Sequence, residues 1–137
     1  MKFSVCIDAV FYGKDVYESI ELLAKNGIRN IEFWTWWDKD INRLLELKER
    51  YELTYVAFCS KFYSLVDTGE RETYMNGFQE TCETAKKIGC NTIITKPLDK
   101  TGEAYEVQYQ NMRNTLQRCT GIAKKYDRSE EHTSELQ

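Results

Sequence analysis

The segment "LLAKNGIRNIEF" (residues 22–33) passes from helical spacing of apolar residues, through Gly27, into a β-branched and aromatic run. "ETAKKIGCNTII" (83–94) repeats the passage around Gly89. Glycine at a helix end supplies the positive φ that stops the helix at little steric cost, so each segment reads as a helix closing and a strand opening. "LKERYELTYVAF" (47–58) makes the same transition without glycine, and "GIAKKYD" (121–127) begins it again. A chain that repeats this junction alternates helices and strands.

The strand candidates are "FSVCIDAVF" (3–11), "IRNIEFW" (28–34), "LTYVAFC" (53–59) and "NTIITKPL" (91–98). Helical patterns separate them. Asp15 and Glu18 stand in the capping-box relation, ahead of a stripe of Val16, Ile20, Leu23 and Ala24. Asp40 is a cap before Ile41, Leu44, Leu45, Lys48 and Tyr51. Tyr74, Phe78, Cys82, Ala85 and Ile88 step by three or four, as do Met112, Leu116, Cys119, Ala123 and Tyr126. The βαβα alternation implies a parallel sheet with right-handed crossovers, either a doubly wound open sheet or a (β/α)8 barrel. A phosphate-cradling first turn is not supported, because "DAVFYGKD" has a single glycine and neither glycine-rich nucleotide motif occurs. Polar or large aromatic residues (Asp8, Trp34, Lys61, Lys96) stand instead at the strand ends, where barrels build their sites. The expected fold is therefore α/β, the N-terminal half, about four β/α units, of a (β/α)8 TIM barrel.

After Asp127 a fifth strand should follow, and "RSEEHTSELQ" (128–137) has one apolar residue and no strand pattern. It also holds the sole histidine, His132, beside Ser and Glu residues. Read as codons, these ten residues look like a common sequencing adapter translated in frame. We therefore expect 1–127 to be a truncated barrel domain and 128–137 a non-native tail with no catalytic role. Without that tail the chain carries 18 basic and 19 acidic residues and no histidine.

Interspersed charges, with a net charge of -3, leave no basic stripe for a phosphate backbone, so nucleic acid is not an expected partner. The N-terminal run, broken by Asp8, does not read as a signal peptide, and no apolar stretch exceeds strand size, which excludes a membrane partner and suggests a cytoplasmic protein. The five cysteines are odd in number and lack C-x-x-C spacing, so they read as buried, reduced thiols.

Together "FSVCIDAVFYGKD", "IEFWTWWDKDI", "VAFCSKFYSLVD" and "AKKIGCNTIITK" resemble the hydroxypyruvate isomerase-like members of the sugar phosphate isomerase/epimerase group, xylose isomerase-like TIM barrels. The resemblance spans residues 1–127, with "EFWTWWDKDI" its most specific segment. It implies metal-dependent isomerisation or epimerisation of a small hydroxycarbonyl or sugar substrate through an enediolate, with a divalent metal polarising the substrate oxygens. The family's metal ligands and catalytic carboxylates lie on later strands, beyond Asp127, so no catalytic residue or metal ligand is assigned in this chain. The fragment alone is expected to be inactive and prone to self-association through open sheet edges.

Substrate-pocket candidates in this half are Glu32, Trp34, Trp37, Lys61 and Lys96. Glu32 alternates with Ile31 and Phe33 and would point into the barrel, pairing with Lys61, Lys96 or Arg29. Trp34 and Trp37 follow the second strand, where flat apolar faces would close a small polyol pocket; packing explains such residues as well. Lys61 and Lys96 would attract a substrate carboxylate or phosphate, or simply stay solvated. "DKDINRLLELKER" (38–50) reads as an exposed helix face without binding function. Two other functions compete: a non-catalytic carbohydrate-binding or interaction domain using the Trp cluster, and an endonuclease IV-like DNA repair enzyme. The latter's first-half histidines and basic face are missing between residues 1 and 127.

Overall fold

Three residues in the left-handed region turn the chain back into the sheet. The computed structural model describes residues 2–97 and 100–128. Gly27 (φ 84°) and Gly89 (φ 69°) adopt the expected conformation, and Glu52 (φ 54°) does so at the junction without glycine. At Gly89 space matters as well as φ: a Cβ there would lie 2.5 Å from Lys48 Nζ. That ammonium donates to the Ile88 carbonyl at 2.6 Å, satisfying an otherwise orphaned acceptor at a helix end.

The elements run β1 (Val5–Cys6), α1 (Ile7–Val10), α2 (Val16–Lys25), β2 (Asn30–Glu32), α3 (Ile41–Tyr51), β3 (Thr54–Cys59), α4 (Arg71–Ile88), β4 (Ile93–Ile94) and α5 (Tyr105–Arg128). Among the described residues the sheet has four strands in the order β1-β2-β3-β4. All pairings are parallel, with Val5 opposite Ile31, Ile31 opposite Tyr55, and Phe58 opposite Ile93. Strands are shorter than the apolar runs implied. "FSVCIDAVF" is a strand only at Val5–Cys6 and then turns helical, with the Phe11 N–H donating to the Ile7 carbonyl at 2.9 Å. This turn swings Asp8 toward the loop after β2, which an extended chain would not do. Of "NTIITKPL" only Ile93–Ile94 pair; Pro97 has no N–H to add to a ladder, and Leu98 lies outside the described residues. So do residues 129–137, including His132.

Two compact units divide the chain, one comprising residues 1–59 and 84–94, the other 60–83 and Thr95 onward. The first contains the sheet and a continuous apolar core of Ile7, Ile20, Leu23, Ala24, Ile31, Phe33, Leu44, Leu53, Tyr55, Phe58, Ala85, Ile88 and Cys90. Phe33 stacks on Phe58 at 5.2 Å and meets Tyr55 edge-on at 5.7 Å. The Tyr55 hydroxyl donates to the Leu44 carbonyl at 2.6 Å, and burial pushes this phenol's pKa up. Both expected caps form: Asp15 accepts from the Glu18 N–H at 2.9 Å, and Asp40 from Asn42 and Arg43 at 2.9 and 3.2 Å.

In the second unit Tyr74, Met75, Phe78, Cys82 and Cys119 are buried. Ser60 and Tyr74 share a buried hydrogen bond at 3.1 Å. Asn111 donates to the Val66 carbonyl at 3.1 Å, and Arg71 to the Thr115 hydroxyl at 3.2 Å. Burial pushes both the Tyr74 phenol and the Cys119 thiol up to about 12. Among the described residues no helix is long and apolar enough to cross a membrane.

Two measurements test this account. Gly27 has open space around it, so Gly27→Ala should cost only the left-handed strain, about 1 kcal/mol, while Glu52→Gly should gain several tenths to about 1 kcal/mol in urea unfolding. Tyr74 and Cys119 keep their protons in the folded chain up to about 12, above the ordinary values of 10.0 and 9.0. Unfolding therefore releases protons in that window, so these two groups should leave stability unchanged between neutral pH and about pH 9 and lower it progressively from about pH 9 to 12.

Candidate functional site

Parallel strands place all their carboxyl ends on one side of the sheet, and the first unit opens a cleft there. Its walls are Ile7, Asp8, Phe11, Tyr12, Gly13, Lys14, Val16, Trp34, Thr35 and Asp38. The volume is about 250 Å3, below the range usual for drug-sized ligands and suited to a compound of few heavy atoms. Aromatic faces alternate with charged groups around it, and Trp34 is 46% exposed.

Asp8 organises this wall. Its Oδ2 accepts from the Trp34 N–H at 2.6 Å and the Thr35 N–H at 3.3 Å. Lys39 Nζ approaches Oδ1 at 3.1 Å and Oδ2 at 3.2 Å, with the two side chains 3% and 15% exposed for Lys39 and Asp8. The same ammonium donates to the Thr35 carbonyl at 2.6 Å, to the Thr35 hydroxyl at 3.2 Å and to Asp38 at 3.3 Å. It also lies 5.4 Å from the Phe33 ring centroid. A buried charge needs such compensation. "DKDINRLLELKER" is thus not simply an exposed face: Lys39, at the loop before the helix, is buried. A charge run gives no sign of which of its lysines turns inward.

Of the sequence-derived candidates, Trp34 is the one among the cleft's lining residues. Trp37 meets Trp36 edge-on at 5.9 Å, and Trp36 packs against the core. Glu32 stands opposite Cys6 in the sheet register, and its carboxylate accepts from the Ser4 hydroxyl. The expected pairing with Arg29 gives way because that guanidinium caps the end of α2 through the Ala24 carbonyl. Lys61 and Lys96 belong to the second unit. Lys61 pairs with Glu80, and its stem lies against Gly77, where an added Cβ would come within 3.2 Å. Lys96 Nζ sits 4.8 Å from the Phe62 ring centroid. Asp8 stood at a strand end in the sequence, but its partnership with Lys39, thirty-one residues away, had no local signature.

A second, more open groove of about 370 Å3 lies within the second unit, lined by Met75, Gln79, Arg118 and Ile122 among others. Its ion pair, Arg118 with Glu72 at 2.7 Å, is solvent-exposed and so contributes little to binding or stability. Among the described residues no three His, Cys, Asp or Glu side chains gather as metal ligands.

No protein-family model matches the chain, and no curated protein sequence is significantly similar to it. Solved structures are. The chain superposes on an AP endonuclease, family 2, from Brucella melitensis with a TM-score of 0.82 and 14% identity, covering 92% of this chain and 52% of that one. It matches the IolI protein with a bound zinc atom at a TM-score of 0.77 and 20% identity, covering 92% and 49%. It matches the 3-keto-D-glucoside 4-epimerase YcjR from E. coli at 0.68 and 12%, covering 86% and 50%. The chain thus spans about half the length of each. At these identities the likeness is one of fold, and that fold is about half of a (β/α)8 TIM barrel.

Proposed function

We propose that this chain is the N-terminal half of an isomerase or epimerase of small hydroxycarbonyl or sugar compounds, of the hydroxypyruvate isomerase kind. The observation that carries this reading is the cleft at the carboxyl ends of β1 and β2, small and walled by aromatic rings, Lys14 and Asp8, the last held by Lys39. The likeness in fold to an epimerase of a ketoglucoside supports the same substrate class. In this reading the cleft of the first unit forms one wall of the pocket, and the proton-transferring carboxylates reside on the later β/α units. Any divalent metal would take its ligands there too, since the described residues do not gather a set; IolI, of the same fold, carries zinc. Trp34 and its neighbours would exclude water from the reacting carbons and hold the substrate's apolar face. A reducing, cytoplasmic setting suits the five free cysteines.

The fold likeness to an AP endonuclease does not extend the proposal to DNA. Residues 1–127 are nearly charge-balanced and contain no histidine, which leaves no electrostatic footprint for a phosphate backbone. A carbohydrate-binding domain would share the same cleft and differ only in turnover.

The test compares purified residues 1–137 with the product of the same gene extended past codon 127, each assayed with hydroxypyruvate and added divalent metal. The extended protein should turn over and the 137-residue chain should not. Robust metal-dependent turnover by the short chain would overturn the proposal, and binding without turnover by the extended one would favour the carbohydrate-binding domain.

A further inference from the structure

We propose that Lys39 is a positioning residue for the cleft: its ammonium gathers Asp8, Thr35 and Asp38 into one brace that fixes the Trp34 wall. This rests on reading the cleft as a substrate pocket, and deepens it. Trp34 is held at both ends of its backbone. Its N–H donates to Asp8 Oδ2 at 2.6 Å, and its carbonyl accepts from the Cys59 N–H of β3 at 3.0 Å. The second bond belongs to the sheet, but the first depends on where Asp8 stands. Asp8 lies in the turn after β1, and Lys39 ties it to the loop after β2 through contacts at 3.1 and 3.2 Å. The Thr35 carbonyl and hydroxyl and the Asp38 carboxylate complete the ammonium's surroundings at 2.6, 3.2 and 3.3 Å.

An ammonium is suited to this task because it is a compact charge with three donors that can converge on several acceptors at once. All three acceptor residues, Asp8, Thr35 and Asp38, also line the cleft, as does Trp34. The same contacts therefore set both the shape and the charge of the wall. With Lys39 in place, the two acids are compensated and the cleft accepts a neutral or anionic hydroxylated compound. Without it, both carboxylates are left uncompensated in a lining whose cation is Lys14, and an anion such as hydroxypyruvate is repelled. The Asp8 carboxylate, already accepting three donors on Oδ2, acts as a brace and not as a proton acceptor.

The experiment uses the 137-residue chain labelled with 5-fluorotryptophan, whose three indoles report separately by 19F NMR, with Trp34 assigned by Trp34→Phe. The parent should show one sharp Trp34 resonance that moves on titration with hydroxypyruvate. Lys39→Met should broaden or split it toward the unfolded position and raise the hydroxypyruvate dissociation constant by about tenfold or more, while Lys39→Arg, which keeps the charge, holds the increase to about threefold. Thr35→Ala removes one contact and leaves the buried pair intact, so it should shift the same resonance even if Lys39→Met fails to fold. A Trp34 resonance in the Thr35→Ala variant, or in folded Lys39→Met, that coincides with the parent's would overturn the positioning role. A resonance that responds to the substitutions but never to hydroxypyruvate would support the brace and count against the substrate reading.

Discussion

Parallel pairing is the constraint from which the remaining architecture follows. A parallel strand cannot be reached by a tight hairpin, so the chain must travel back along a helix before each new strand. The return is short because one residue at each helix end takes the left-handed conformation: Gly27, Glu52 and Gly89. Ile20 of α2, Leu44 of α3 and Ile88 at the end of α4 are then buried in one core with Ile31, Tyr55 and Phe58 of the sheet region. Every strand also ends on the same side. The cleft exists where it does because two successive carboxyl ends, those of β1 and β2, open next to each other.

Electrostatics refine what packing begins. The brief helical turn after β1 spends residues that would otherwise extend the strand, and in exchange presents Asp8 to the backbone of Trp34 and Thr35. A carboxylate so placed, little exposed, calls for a counter-charge, and Lys39 supplies it from a loop more than thirty residues away. Removing one member of such a pair strands the other in a poorly hydrated setting, which is costlier than losing any exposed ion pair of the chain. The exposed Arg118–Glu72 pair shows the contrast: similar in distance, but open to water.

Much of the fold was legible in the residue pattern. Helical stripes, both aspartate caps and two of the three left-handed turns follow from local chemistry, because each depends on neighbours within a few positions. The residue pattern overstates strand length: β1 ends at Cys6 although apolar residues run on to Phe11, and β4 is confined to Ile93–Ile94 within a longer β-like run. The left-handed turn at Glu52 carried no glycine to mark it. For the cleft, Trp34 was visible as an aromatic at a strand end. Lys39 was not, because a lysine in a charged run has the same composition whether it turns to solvent or inward. Glu32 was placed on the correct strand, but its partner, Ser4, depended on the register between β1 and β2.

Spacing along the chain sets the alternation of helices and strands, the aspartate caps and the glycine turns, and through these the parallel α/β class, because each depends on near neighbours. Which charged groups meet is fixed only once the strands are in register and the loops are folded. Asp8 with Lys39, Lys48 with the Ile88 carbonyl and Glu32 with Ser4 are long-range pairs that local propensity cannot encode. Their geometry depends on strand register and on the way each loop folds over a strand end, and it is this geometry that turns an aromatic strand end into a cleft with a defined wall.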